Sequence, residues 1–193
     1  MVQRVLELWR RWVGFWAEVE QPHPLALVRI CLGLVIFWDF MEIWSLDLVV
    51  PLFGAADIGG LSDSAQRPNP PLVYEILPAT VEGAKILHAV ITVSAFSFTC
   101  GLFTRTSALV LLISWAQFSL VLPAADRGID TLCRDVLSIF VFAPGGAIWS
   151  VDAMIRTGRF SGDGTPVGAW ARRLIMLQLV VMYFMAGVQK SGI

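Results

Sequence analysis

Charge is scarce in this chain. Only 15% of its residues are Asp, Glu, Lys or Arg, where soluble domains carry about a quarter. A water-exposed globular surface is therefore not expected. The net charge of −1 and the absence of a basic stripe argue against a nucleic-acid partner. Cysteine is rare too. Cys31, Cys100 and Cys133 show no CxxC spacing, and an odd number cannot all pair internally. All three sit in apolar segments and read as small buried hydrophobes. The two histidines, His23 and His88, stand far apart and form no metal motif, so no metal is expected. Phosphate-cradling glycine loops and nucleophile elbows are missing as well.

Hydrophobic length is what the chain has instead. It is 56% hydrophobic, with a mean hydropathy of +0.71, the profile of an integral membrane protein. Within residues 1–22, Val2, Val5, Leu6, Trp9, Trp12, Val13 and Trp16 recur at helical spacing, with Arg4, Glu7, Arg10, Arg11 and Glu18 on the other side. That pattern predicts an amphipathic helix lying in the membrane interface. It has no uninterrupted apolar core and no small-residue cleavage site, so it does not read as a signal peptide.

Crossing a bilayer takes about 20 mostly apolar residues. Five segments qualify within 23–193: 25–53, starting after Pro24; 84–103; 106–122, ended by Pro123; 131–149, broken near Pro144-Gly145-Gly146; and 174–190. Thr104 and Arg105 are the expected connection between the second and third, a tight hairpin. The expected fold is an all-α polytopic membrane bundle of five spans plus the interfacial helix. Segment 54–83, rich in Gly, Pro and Ser, is the long outer loop, a lid or a partner surface. The eight tryptophans read mostly as an interfacial belt.

Loop charges favour a cytoplasmic N-terminus. Eight arginines (Arg4, Arg10, Arg11, Arg105, Arg156, Arg159, Arg172 and Arg173) then fall inside, against five basic residues outside: Arg67, Lys85, Arg127, Arg134 and Lys190. The acidic residues Asp57, Asp63, Glu75, Glu82, Asp126 and Asp130 gather outside. The expected location is the cell membrane, multi-pass, with Lys190 on the extracytoplasmic side.

Charges inside spans are costly and usually face the bundle interior or a cavity. At 1.5 Å per residue, Asp39 stands roughly 20 Å above Pro24, in the outer half. Glu42, His88, Gln117, Asp130, Arg134, Asp135 and Lys190 fall in the same leaflet, which points to an outward-opening polar pocket roofed by 54–83. Each has a plainer reading: an ion pair of Asp39 or Glu42 with Arg134, a hydrogen-bonded interior His88, an interfacial helix entry at Arg134 and Asp135, an anchor at Lys190. Arg29, near the inner edge, reads as a snorkelling side chain.

Three stretches resemble one family. His23-Pro24-Leu25-Ala26-Leu27-Val28-Arg29-Ile30 with Leu32-Gly33-Leu34 is similar to the opening of the horizontally transferred transmembrane domain, the membrane part of vitamin K-dependent gamma-glutamyl carboxylase and its bacterial relatives. Asp130-Thr131-Leu132 followed by Ile148-Trp149-Ser150-Val151-Asp152 resembles the family's fourth-span region. Tyr183-Phe184-Met185-Ala186-Gly187-Val188-Gln189-Lys190 resembles its Tyr-Phe-x-Ala-Gly-x-x-Lys stretch.

The resemblance implies a quinone cofactor, of the vitamin K hydroquinone type. It also implies Lys190 as the base that deprotonates it, since desolvation lowers a lysine's pKa. His88, Asp39 and Arg134 are the candidate pocket residues. The sequence departs from the family where the carboxylase carries a histidine leading into the fourth span; the nearest counterpart is Asp130. The chain given also stops at Ile193, where the carboxylase continues into a lumenal region, so carboxylation of a protein substrate is not expected of it alone. Two functions stay open: a quinone- or lipid-handling membrane protein, catalytic or not, and a non-catalytic structural subunit of a larger membrane protein complex. The second is favoured by small-residue patches such as Ser97-x-x-x-Gly101. The expected partners are the lipid bilayer, a quinone and other membrane proteins.

Overall fold

Pro22 and Pro24 set where the first long helix begins, because proline fits a helix's first turn and lacks only a donor that has no partner there anyway. In a computed structural model, which describes residues 2–61 and 72–190, helix α2 runs His23–Ser45. Before it, α1 (Val2–Ala17) has the predicted amphipathic pattern, with Leu6, Trp9, Trp12 and Val13 exposed. A two-residue strand β1 (Val19–Glu20) follows, pairing antiparallel with β2 (Val167–Gly168).

The expected first span, 25–53, is divided. Asp47 adopts a left-handed backbone (φ 55) and turns the chain into a short helix α3 (Val49–Phe53). Helix α2 alone is about 35 Å long at 1.5 Å per residue, enough to cross a bilayer, so the remainder folds over the bundle's end. Pro51 is accommodated there because α3 is barely longer than its first turn. Of the outer loop, residues 62–71 lie outside the described residues, Asp63 and Arg67 among them. Its described parts include α4 (Val73–Ile76), held by Val73 N donating to Gln117 Oε1 at 3.2 Å.

Helix α5 (Val81–Cys100) starts at Thr80, whose hydroxyl accepts from Gly83 N at 3.1 Å. It ends at Gly101, left-handed at φ 68, with Gly101 N donating to Phe98 O and Leu102 N to Ser97 O. Helix α6 is Thr104–Val121. The hairpin is as tight as expected, but its turn is residues 101–103 rather than Thr104 and Arg105. The shift has a long-range cause: the Asp152 carboxylate accepts from Phe103 N (2.7 Å) and Thr104 N (2.8 Å), and α6 starts at Thr104 rather than at 106.

Helix α7 covers Gly128–Phe142, 15 residues or about 22 Å. It stops short of the expected 149 because Pro144 and two glycines end it. Residues 143–150 are irregular, and α8 (Val151–Thr157) begins on Ser150, which accepts from Ala153 N. The last helix, α9, is Trp170–Lys190. Helices α2, α5, α6 and α9 are long and apolar enough to cross a membrane.

Neighbouring helices α2, α5, α6 and α7 pack around Ile36, Phe40, Ile91, Ala95, Phe98, Ala108, Leu111, Leu137 and Phe140, all buried. Gly33 lets α2 approach α5 closely, since a Cβ there would overlap Thr99. The outer surface is apolar: Trp38, Val35, Val93, Phe96 and Ile113 are all exposed. Patches of this extent mark a lipid-facing surface in a bundle of this composition. Helix α9 is attached loosely, with only Ala171 and Ile175 buried. Trp115 departs from the belt reading, for it is buried in the core, and Cys31 is exposed rather than buried. No cysteine is bonded to another.

Candidate functional site

Two polar centres occupy opposite ends of the bundle. The first surrounds Arg29, at the end where α2 begins. Arg29 does not snorkel. Its side chain is fully buried and donates to Gly145 O (3.3 Å) and to Trp149 O. Its Nε has no partner among the described residues. A Cβ on Gly101 would overlap the guanidinium and Ser150, so glycine is needed there twice over, for space and for backbone conformation. Asp152 also accepts from the Thr104 hydroxyl at 2.7 Å, and Ser150 Oγ donates to Gly146 O at 2.8 Å. Two non-glycine residues with left-handed backbones, Phe103 (φ 46) and Trp149 (φ 49), are bonded into this cluster. Strain of this kind persists only where surrounding contacts fix it. The cluster fastens α2, the α5–α6 turn and the 143–152 segment together, and every carboxylate oxygen of Asp152 is taken. Its chemistry is that of a clamp.

The second centre lies at the other end, where α2 finishes and α7 begins. Arg127, at the N-cap of α7, donates through Nε and Nη2 to Asp130 (3.0 Å each) and through Nη2 to Asp39 (3.2 Å). Its backbone N–H donates to Asp130 as well, at 2.9 Å. The Asp130 hydrogen bond, with the charges of Asp130 and Asp39, raises the Arg127 pKa above its ordinary value. Arg134 makes a two-pronged ion pair with Asp126 (2.8 Å for each arm) and stands 5.8 Å over the ring of Trp115. The expected Asp39–Arg134 pair is therefore not formed; Arg127, closer to the end of α2, takes Asp39, and the preceding turn supplies Asp126 to Arg134.

Beside these groups an open groove of about 780 Å³ runs along α2, lined by Leu34, Val35, Ile36, Phe37, Trp38 and Asp39 on one wall and by Trp115, Arg127, Ile129, Asp130 and Cys133 on the other. Asp39 lines this groove; Arg134 does not, though it packs over the ring of Trp115, which does. His88 does not line it. The imidazole is 2% exposed, enclosed by Phe40, Phe53 and Trp44, with Nε2 2.8 Å from Phe40 O. A carbonyl only accepts, so Nε2 carries the proton and donates. Lys190 is exposed at the end of α9 and makes no hydrogen bond or ion pair among the described residues. It shares an end of the bundle with the groove but does not line it.

Arg127 and Trp115 were not singled out by sequence. The spacing of Arg127 to Asp130, an N-cap and its third helical residue, is the local signal that was available. Trp115 looks like any belt tryptophan until the packing places it inside. Neither a curated protein nor a solved structure matches the chain. The HTTM domain matches residues 18–193, nearly the whole of it. The chain thus belongs to the HTTM domain family, whose domain forms the membrane region of vitamin K-dependent gamma-glutamyl carboxylase.

Proposed function

We propose that this HTTM-domain membrane protein binds a quinone, or a lipid of similar shape, in the groove beside Asp39 and Arg127. The observation that carries the reading is the groove's composition. Its walls are mainly aliphatic and aromatic, and one edge holds a fixed ion-paired cluster. Ligand sites for apolar molecules are typically of a few hundred Å³ with a small number of placed polar groups. Arg127 commits Nε and Nη2 to carboxylates. Its Nη1 makes no hydrogen bond among the described residues and can donate to a quinone carbonyl. Trp115, although largely buried, is among the residues that line the groove.

Lys190 is the residue to act as base in this reading, as the family resemblance implies. It stands at the same end of the bundle as the groove; because the amine is exposed, the desolvation that a lysine base needs has to come from the bound ligand. We place the N-terminus in the cytoplasm, following the loop arginines, which puts groove and lysine on the extracytoplasmic side. The test is a quinone carrying a photoreactive group, added to the protein in nanodiscs. Arg127→Ala should reduce labelling of the groove, and Lys190→Ala should abolish turnover of the reduced quinone while leaving labelling intact. Undiminished labelling in Arg127→Ala would refute the groove; full turnover in Lys190→Ala would refute the base.

A second reading, a non-catalytic subunit of a membrane complex, is favoured by α9. Val180, Tyr183 and Phe184 are each more than 60% exposed, a bare helix face of the kind a partner helix covers. Purification in mild detergent separates the readings, since this one requires a stoichiometric partner and no bound quinone.

A further inference from the structure

We propose that a second groove, between α7 and α9, binds a membrane-dissolved amphiphile bearing an amine, with Asp135 as its counter-ion and Gln178 as its second polar contact. This groove encloses about 560 Å³ and is lined by both helices. Among its lining residues Asp135 is the only charged one. Asp135 is exposed to the groove, and its carboxylate has no hydrogen bond or ion pair among the described residues. It stands seven residues into α7, about 10 Å from the helix start at 1.5 Å per residue. A bare carboxylate at that depth is costly, and such groups face partners or cavities. Arg134, next to it in sequence, forms its ion pair with Asp126 instead, and of the groove's residues it bonds only the Thr131 hydroxyl among the described residues.

Across the groove, the Gln178 amide likewise has no partner among the described residues. Ser138 Oγ donates to Asp135 O at 2.6 Å, and Thr131 Oγ1 accepts from Arg134 Nη2 at 3.2 Å, which leaves the Thr131 hydroxyl hydrogen to donate. The open chemistry of the groove is thus one anion, one amide and the Thr131 hydroxyl between apolar walls of Leu174, Leu177 and Val181. A cationic amine answers the carboxylate, and an alkyl chain answers the walls. The volume suits a chain lying between two helices; a whole third helix, about 10 Å across, is too wide. An anionic headgroup is excluded by the like charge.

The experiment uses the full chain in phosphatidylcholine nanodiscs and three probes with the same diazirine-bearing alkyl chain, ending in an amine, an alcohol or a carboxylate. The amine should label peptides covering 131–139 and 174–182, and the carboxylate should not. Asp135→Asn should lower that labelling about tenfold, the scale of one charge-assisted hydrogen bond. Gln178→Leu should lower it a few-fold. Both positions are outside the core, and labelling of the Asp39 groove by a quinone probe should be unchanged in both variants, which separates this site from that one. Equal labelling by amine and carboxylate, or no effect of Asp135→Asn, would overturn the proposal. So would a cross-linked dimer through this groove that depends on Asp135, for then a second copy is its occupant.

Discussion

A guanidinium with no water around it needs acceptors aimed at it from several directions. Arg29 finds them on the segment that follows α7, more than a hundred residues away. Removing it leaves the buried Gly145 carbonyl and the part-buried Trp149 carbonyl without their donor, at about 1–3 kcal/mol for a fully buried group and less for the second. Arg29→Met should therefore destabilise the bundle by roughly 2–4 kcal/mol, measured as a lowered midpoint in detergent unfolding. Lys190→Ala, at an exposed site, should shift the same midpoint by no more than about 0.5 kcal/mol. The contrast between the two cationic residues separates a clamp from a candidate reacting group. His88 belongs with the clamp. Its ring is buried and bonded to Phe40 O, so His88→Ala should destabilise as a core truncation does, and no effect on stability would contradict that placement.

At the scale of the element, α1 and α9 are the loosely held parts. The β1–β2 pair joins them, aided by Arg172 with Glu20 (2.7 Å) and by Arg173 with Glu18 and Phe15 O. The hydrogen bond and charge of Arg173 hold the Glu18 carboxyl below its ordinary 4.5. A depressed folded pKa means the contact is complete above 4.5 and is lost as pH falls through the lower folded value. Hydrogen exchange of residues 14–20 should accordingly rise on acidification below that range, with the core helices unchanged. Glu18→Gln should remove the pH dependence. At the other hairpin, Gly101→Ala imposes both a left-handed backbone on alanine and an overlap with Arg29. It should cost more than the ~1 kcal/mol of the backbone change alone, read from the same unfolding midpoint.

Across the whole molecule, the sequence was most informative where physics is local. Hydrophobic length and Pro24 placed α2, and helical spacing placed α1. The early start of α6 was not legible, because it depends on Asp152, almost fifty residues further on. The end of the first span was missed because a continuous apolar run hides a turn at a single left-handed Asp47. The gathering of polar residues toward one end of the bundle was legible as depth. Their azimuths were not, and these decide that Asp39 meets Arg127 while His88 is enclosed by aromatic rings. The Arg29 cluster was underestimated because most of its acceptors are backbone carbonyls, which composition cannot weigh.

The central claim is that a flat, apolar ligand occupies the groove between α2 and the start of α7. The most direct measurement maps the cross-links of a photoreactive quinone on the protein in nanodiscs. Cross-links concentrated at 34–39, Trp115 and 127–133, lost in Arg127→Ala, are the predicted result. Cross-links spread along the exposed face of α9, or an unchanged pattern in Arg127→Ala, would contradict it.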